Sequence, residues 1–277
     1  GVLNGVENLA SGDFSMVGGG QSNTAGGDSS FVGAGTRNAA TGISSAVVGG
    51  RRNSAVADYV FIGGGASHIA NGPFSVIGGG DGNQADGGTS VVAGGESNSA
   101  SGPYAVIGGG VFNSAGAYDA TVSGGEENDA LGLGSTVSGG ISNVAAAASV
   151  FGAIGGGAFN TTGDSGATVA GGRNNRARGK YAVVGGGGGG SPTDSNAALG
   201  VSSTIGGGRR NAAIADSSTI GGGSSNSVRG IGGTIGGGRA NFSSNDYSVV
   251  AGGSSNWAVG DYSVVGGGSD NRNRGDY

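Results

Sequence analysis

The residues that could do acid, base or metal chemistry are few in this chain. It has one histidine, His68, and no cysteine, and His68 is flanked by Ser67 and Ile69. A nucleophile-base-acid arrangement needs partners for the histidine, and none stands beside it. We therefore expect no enzyme activity and no catalytic residue. We interpret His68 as a structural substitute for the Asn that otherwise occupies its place in a sequence repeat.

A discontinuous column of aspartates is the main candidate for a metal site. Stacked carboxylates could hold Ca²⁺ between successive repeats. However, Ile43, Pro73 and Pro103 occupy the same repeat position elsewhere, and the Gly-Gly-x-Gly-x-Asp nonapeptide of calcium-binding β-rolls is absent. We therefore interpret the aspartates as solvated turn residues and expect no metal and no cofactor. The column contains Asp13, Asp28, Asp58, Asp246, Asp261 and Asp276.

The glycine runs could suggest a phosphate-binding loop. The longest, residues 185–190, is followed by neither a Gly-Lys-Ser/Thr sequence nor a helical pattern. A phosphate loop needs both, because its backbone amides and the helix N-terminus hold the phosphate. These runs are better explained as turns.

An Asn that recurs at a fixed interval defines the unit that must position all these side chains. The best-formed unit, residues 256–270, reads NWAVGDYSVVGGGSD, and positions are counted below from its Asn as zero. A fixed repeat this short predicts a solenoid in which each coil contacts only its neighbours. The Asn column is Asn8, Asn23, Asn38, Asn53, His68 in the Asn place, Asn83, Asn98, Asn113, Asn128, Asn143, Asn160, Asn175, Asn196, Asn211, Asn226, Asn241, Asn256 and Asn271.

Three positions of the repeat predict a narrow core. Position +9 is Val or Ile in every internal unit, from Val17 to Val265, position +7 is nearly always small, and position +2 is mostly Ala. Positions +7 and +9 point to the same side of a strand. We therefore predict an all-β fold, a single-chain parallel β-solenoid (β-roll) of about eighteen 15-residue coils, with two short strands per coil.

Glycines and the Asn column should form the turns. Position +12 is Gly in all seventeen complete units, from Gly20 to Gly268. Such strictness indicates either a positive φ angle or a close approach of successive backbones. Position +4 is also usually Gly. Stacked Asn side chains can hydrogen-bond along the stack as an amide ladder.

The sequence predicts one continuous repeat β-solenoid over residues 1–277. Two steps are longer than the others, because the unit from Asn143 gains two residues and the unit from Asn175 gains six. We expect loop insertions near 149–152 and 188–194 that leave the strands unchanged. Both ends read as ordinary repeat sequence, which favours either an excerpt of a longer chain or head-to-tail stacking.

Composition excludes several classes of protein. The 71 glycines come in blocks rather than at every third position, so collagen is excluded. A net charge of −5 with no basic stripe argues against nucleic acid as a partner. No stretch approaches the roughly 18 apolar residues of a membrane helix, so we expect no membrane insertion in this segment. The absence of cysteine suits an extracellular fibrous protein. If the protein is secreted, we expect this sequence to be a mature or excised segment.

Position +8 predicts an outward apolar stripe, which invites a partner. Position +6 adds aromatic residues suited to covering a neighbouring coil or subunit. The alternative is that positions +6 and +8 pack within one wider coil and the molecule is monomeric. The stripe contains Met16, Phe31, Ala46, Phe61, Val76, Val91, Val106, Thr121, Thr136, Thr168, Val183, Thr204, Thr219, Thr234, Val249 and Val264. The +6 aromatics are Phe14, Tyr59, Phe74, Tyr104, Tyr181, Tyr247, Tyr262 and Tyr277.

The unit S-V-V-G-G-G-x-x-N-x-A-x-G-D-Y resembles the head repeats of YadA-like trimeric autotransporter adhesins over essentially the whole chain. The resemblance implies a left-handed parallel β-roll, three chains side by side, display on a bacterial surface, and binding to extracellular matrix or cell-surface ligands. This chain departs from the family in a slightly longer coil, a heavier GGG block, and the absence of a neck, heptad stalk or anchor.

We therefore expect a non-enzymatic, extracellular or cell-surface bacterial protein that is structural or adhesive and assembles with identical chains. In the adhesin interpretation the chains form a trimer through the apolar stripe, and the variable side chains at positions +13 and +14 face ligands: Arg51, Arg52, Glu126, Glu127, Arg209 and Arg210. The alternative is a subunit of a head-to-tail extracellular filament without a stalk. A minor alternative is an ice- or calcium-binding solenoid, which the three-coil threonine run Thr204, Thr219 and Thr234 suggests.

Overall fold

A computed structural model describes residues 1–276. The chain divides into two compact units, Gly1–Gly134 and Ser135–Tyr277. Each unit is a parallel β-solenoid built from strands of two residues, and one 3₁₀ turn, Pro192–Asp194, is the only helical segment within residues 1–276. The predicted all-β solenoid of about eighteen coils is confirmed. The single continuous domain and the handedness of the coil stay predictions.

In the first unit, one strand of each coil covers positions +1 and +2 and forms sheet I, and the other covers +8 and +9 and forms sheet II. Sheet I contains Leu9–Ala10, Thr24–Ala25, Ala39–Ala40, Ser54–Ala55, Ile69–Ala70, Gln84–Ala85, Ser99–Ala100, Ser114–Ala115 and Asp129–Ala130. Sheet II contains Met16–Val17, Phe31–Val32, Ala46–Val47, Phe61–Ile62, Val76–Ile77, Val91–Val92, Val106–Ile107 and Thr121–Val122.

The second unit repeats this arrangement. Its sheet I contains Val144–Ala145, Thr161–Thr162, Arg176–Ala177, Ala197–Ala198, Ala212–Ala213, Ser227–Val228, Phe242–Ser243, Trp257–Ala258 and Arg272–Asn273. Its sheet II contains Thr136–Val137, Ala153–Ile154, Thr168–Val169, Val183–Val184, Thr204–Ile205, Thr219–Ile220, Thr234–Ile235, Val249–Val250 and Val264–Val265.

Strands pair in parallel with the equivalent strand one coil away, so each residue lies over its repeat equivalent. Ala40 pairs with Ala25 on one side and Ala55 on the other. The longer steps keep this register, because Val137 pairs with Ile154 and Val184 with Ile205. The extra residues of both steps therefore lie between strands.

The core consists of the +2, +7 and +9 side chains. Val17, Ala25 and Ala105, one from each position, have no exposed surface. In the second unit, +2 and +9 residues such as Ala198 and Ile205 belong to one hydrophobic cluster. The inner faces of sheets I and II therefore pack against each other, and positions +1 and +8 point outward on opposite faces.

Glycine at +12 is required both by a positive φ angle and by the close approach of the next coil's backbone. Gly95 has a φ of +90°, and a Cβ built there would lie 2.1 Å from the carbonyl oxygen of Gly110 in the next coil. At +4 only the second reason applies, because Gly27 has no positive φ but its Cβ would lie 2.1 Å from the carbonyl oxygen of Gly42. Backbone spacing, and not only turn conformation, accounts for the glycine content.

Candidate interaction surface

The apolar stripe lies on the outer face of sheet II, as predicted. Its residues are half-buried to exposed: Phe61 is 43% exposed and Val183 is 37% exposed, whereas the adjacent +9 residues are fully buried. Each stripe residue lies over its equivalent in the next coil, as Phe61 does beside Val76. The stripe thus forms an in-register column in each unit, apolar at all rungs of the first unit except Thr121. In the second unit threonine occupies five of the nine rungs, including the consecutive Thr204, Thr219 and Thr234.

The +6 aromatics border this stripe and cover neighbouring coils. Tyr59 and Phe74 stack with ring centroids 4.8 Å apart, and Tyr247 and Tyr262 with centroids 5.2 Å apart. Their side chains remain about half exposed. Coverage of a neighbouring coil is therefore confirmed, and coverage of a neighbouring subunit stays a prediction. Tyr277 lies outside the described residues.

A left-handed backbone places these aromatics, and the sequence did not indicate it. Position +6 has φ near +60° in many coils, as in Tyr59 at +59° and Ser29 at +57°, and position +14 behaves alike, as in Arg52 at +57°. The amide of Ser29 donates to the carbonyl of Asp13 in the preceding coil at 2.7 Å. Strand amides donate to both sides, since the Val17 amide donates to Gly1 of the preceding coil at 2.9 Å and the Met16 amide to Ser30 of the following coil at 3.0 Å. The left-handed residue adds one more hydrogen bond to the preceding coil.

The Asn column forms a hydrogen-bonded ladder, but mainly with the backbone. Asn38 donates from Nδ2 to the carbonyls of Ala34 and Gly50, at 3.0 and 2.9 Å, and its Oδ1 accepts the Asn53 amide at 3.1 Å. Direct amide-to-amide bonds occur at only some rungs, such as Asn98 Nδ2 to Asn83 Oδ1 at 3.1 Å. The predicted amide ladder is thus corrected to a ladder in which each Asn side chain ties its own turn to the following coil.

His68 occupies the Asn place and keeps the acceptor contact of an Asn side chain but not its donor contacts. Its Nδ1 accepts the Asn83 amide at 3.1 Å, as an Asn Oδ1 would. Its Nε2 is buried without a hydrogen bond of ordinary geometry, although the carbonyls of Gly80 and Gly64 lie near the ring. Burial lowers the pKa of His68, and these carbonyls and the Asp81 charge oppose that shift. The interpretation of His68 as a structural substitute fits this geometry.

The +5 aspartates bind backbone amides. Asp58 Oδ1 accepts the amide of Ile43 at 2.8 Å, and Asp28 Oδ1 accepts that of Asp13 at 2.9 Å. Each carboxylate thus ties its turn to the preceding coil, a more specific role than the predicted solvated one. Within residues 1–276 no group of three or more His, Asp or Glu side chains could hold a metal ion.

The charged side chains at positions +13 and +14 lie at an exposed edge. Arg51 and Arg52 are exposed, and Arg210 pairs with Asp194 of the longer insertion, with Nε and Oδ1 2.7 Å apart. Asp129, on sheet I two residues after the +14 residue Glu127, has a raised pKa, chiefly because of burial and secondly because of the Glu127 charge. The predicted role of this edge in facing ligands stays a prediction.

The outer face of sheet I carries a feature that sequence reasoning missed. Phe242 and Trp257 lie side by side at +1, with ring centroids 5.0 Å apart. The signal that could have found it is a pair of aromatic residues one repeat apart, at a position other than +6 or +8. In the described part of the chain no surface pocket is present, and no helix is long and apolar enough to cross a membrane.

No protein-family model and no curated protein matches this chain.

Proposed function

We propose that this chain is a non-enzymatic, extracellular structural or adhesive protein of a bacterial surface that associates laterally with identical chains. The observation that carries the proposal is the stripe on sheet II, an apolar column that continues over consecutive coils while its side chains stay partly exposed. Apolar surface that continues in this way is typical of an interaction site. A β-solenoid repeats the same contact at every rung, so a weak contact per coil adds up along the stack.

The resemblance to YadA-like adhesin heads supports three chains side by side. The chain has a β-roll fold, two strands per coil, and an inward Val or Ile at +9 next to an outward apolar residue at +8. In a lateral trimer the stripe of each chain would pack against its partners. Sheet I would stay accessible, because it lies on the opposite face of the core.

A charged side chain in the stripe tests lateral association. Phe61→Lys places an ammonium group in the proposed interface, and Ser54→Lys places the same group on sheet I of the same coil. We expect the full-length chain to sediment with three times its monomer mass, Phe61→Lys to shift toward monomer, and Ser54→Lys to keep the mass of the unsubstituted protein. A monomeric unsubstituted protein at micromolar concentration would overturn lateral association.

The second candidate is a head-to-tail filament. Every coil pairs with the next in the same parallel register, as Ala25 does with Ala40. The same register could join a strand of one chain to the equivalent strand of another, which favours a filament. Electron microscopy separates the candidates, because a filament gives long unbranched threads and lateral association gives particles of uniform length.

A further inference from the structure

Four residues on the outer face of sheet I form a continuous ladder of aromatic rings and guanidinium groups in the second unit. The Arg229 guanidinium lies 5.2 Å from the centroid of Phe242, Phe242 lies 5.0 Å from Trp257, and the Arg272 guanidinium lies 5.3 Å from the Trp257 centroid. Arg229 and Arg272 lie three rungs apart, so about 14 Å separates their coils at roughly 4.8 Å per rung.

The fold does not require these side chains. In three consecutive coils of the same column position +1 is small, namely Ala197, Ala212 and Ser227, and these strands pair in the same register. Trp257 is 41% exposed. Large aromatic and Arg side chains held together on an open face are the types that dominate binding energy at protein interfaces.

The guanidinium groups keep their charge unpaired. Within residues 1–276 Arg210 pairs with Asp194, whereas neither Arg229 nor Arg272 forms an ion pair with a carboxylate. Asp246 lies in the same coil as Phe242, and its Oδ1 accepts the Ile231 amide at 2.8 Å. A guanidinium stacked on a ring still offers its N–H edge to an oxyanion, with less conformational entropy to lose on binding.

The stacking also restricts what can bind. Along the ladder Phe242 lies between Arg229 and Trp257, and Trp257 lies between Phe242 and Arg272, with the two rings tilted by 49° to each other. A centroid separation of 5.0 Å leaves no room for a base between the two rings. A nucleic-acid base needs a free ring face on which to stack. A peptide that adds a strand needs an unpaired strand edge, but the strands that carry Phe242 and Trp257 pair with coils on both sides. The ladder therefore offers separated cationic groups with apolar ring edges between them.

We propose that this ladder binds an anionic polysaccharide, through carboxylate or sulfate groups at Arg229 and Arg272 and through sugar C–H groups against the edges of Phe242 and Trp257. This inference deepens the proposed adhesive function and rests on it. The site lies on the face opposite the apolar stripe, so lateral association leaves it accessible.

Calorimetric titration of the full chain with heparin and with polygalacturonate tests the proposal, with neutral dextran, polyglutamate and oligothymidylate as competitors of other chemistry. We expect binding to at least one acidic polysaccharide and at least tenfold weaker binding by the double variant Arg229→Gln/Arg272→Gln. Trp257→Ser, which installs a residue type common in this column, should weaken binding by a smaller factor. The matched control Arg239→Gln removes one arginine from the +13 edge and should bind as the unsubstituted protein does.

Three results would overturn the inference: no binding to either acidic polysaccharide, equal binding by the double variant, or binding to dextran, polyglutamate or oligothymidylate as tight as to the acidic polysaccharides. The sedimentation mass of each variant is measured alongside. A protein that assembles but binds no polysaccharide contradicts the ligand only, whereas a monomer that binds polysaccharide contradicts the lateral assembly only.

Discussion

Replacing His68 with Asn should stabilise the first unit. The substitution keeps the existing contact, because an Asn Oδ1 can accept the Asn83 amide that now donates to His68 Nδ1 at 3.1 Å. It adds two hydrogen bonds, because Nδ2 can donate to the carbonyls of Gly64 and Gly80, as Asn83 does to Gly79 and Gly95 at 3.0 and 2.8 Å.

The exchange leaves little space unfilled. A Cβ built on Gly65 would lie 2.5 Å from His68 Nε2, and one built on Gly50 would lie 2.6 Å from Asn53 Nδ2. The two nitrogens therefore occupy equivalent places. A buried polar group without a partner costs about 1–3 kcal/mol, so the local free energy of opening should rise by about that amount. This corresponds to roughly 5- to 150-fold slower exchange.

Amide hydrogen exchange of Asn83 measures this effect directly, without assuming two-state unfolding of a repeat protein. The difference in Asn83 protection between His68→Asn and the unsubstituted protein should grow as the pH is lowered. Because the folded pKa of His68 is lowered, the opened state binds a proton first as the pH falls below its ordinary value of about 6.5. The unsubstituted protein then loses protection that the variant keeps.

Two results would refute this reasoning: unchanged Asn83 protection at pH 7.5, or a difference between the two proteins that stays constant from pH 7.5 to pH 5. The reverse substitution in the preceding coil, Asn53→His, is the matched control. This variant should lower the exchange protection of the His68 amide, which donates to Asn53 Oδ1, by a similar factor. The reason is that it removes the Nδ2 bonds to Gly49 and Gly65.

Two further pairs of variants test the core and the turns, with urea unfolding of the full chain as the measurement. Ser75→Ala removes a buried hydroxyl without a partner and should keep or raise the free energy of unfolding, whereas Ser45→Ala loses a 2.8 Å hydrogen bond and should lower it by about 1 kcal/mol. Equal losses in both would contradict this assignment. Gly95→Ala should lower the free energy of unfolding by about 2–4 kcal/mol, and Gly94→Ala, whose Cβ would meet nothing closer than 3.8 Å, by less than about 0.5 kcal/mol. A comparable loss at both glycines would show that backbone spacing does not select glycine here.

The sequence predicts the core well because each buried column has one physical requirement. Val17 and its equivalents lie inward because only an apolar side chain fits there, and Gly95 is Gly because a Cβ has no room. The left-handed residues escape prediction, since Tyr59 and Ser29 lack the usual Gly or Asn signature. Both residues donate their amides to the preceding coil, a contact that no local pattern encodes.

The sequence predicts the stripe on sheet II but not the ladder on sheet I. The stripe follows from strand alternation alone, so Phe61 and Val183 could be placed outward from their spacing. The ladder around Trp257 depends on which large side chains meet across three coils, and Arg229 reaches Phe242 from position +3. The Asn side chains were placed correctly, but their main partners are backbone carbonyls that the sequence pattern does not display.

The two insertions show where this architecture tolerates extra length. The segment between Ala145 and Ala153 is two residues longer than its equivalents, and that between Val184 and Ala197 is six residues longer, yet Val144 still pairs with Thr161 and Arg176 with Ala197. The two turns of a coil are therefore separate grafting points, one at each edge of the sheets. Foreign peptides inserted at these turns would be held apart by a whole number of rungs, at roughly 4.8 Å per rung.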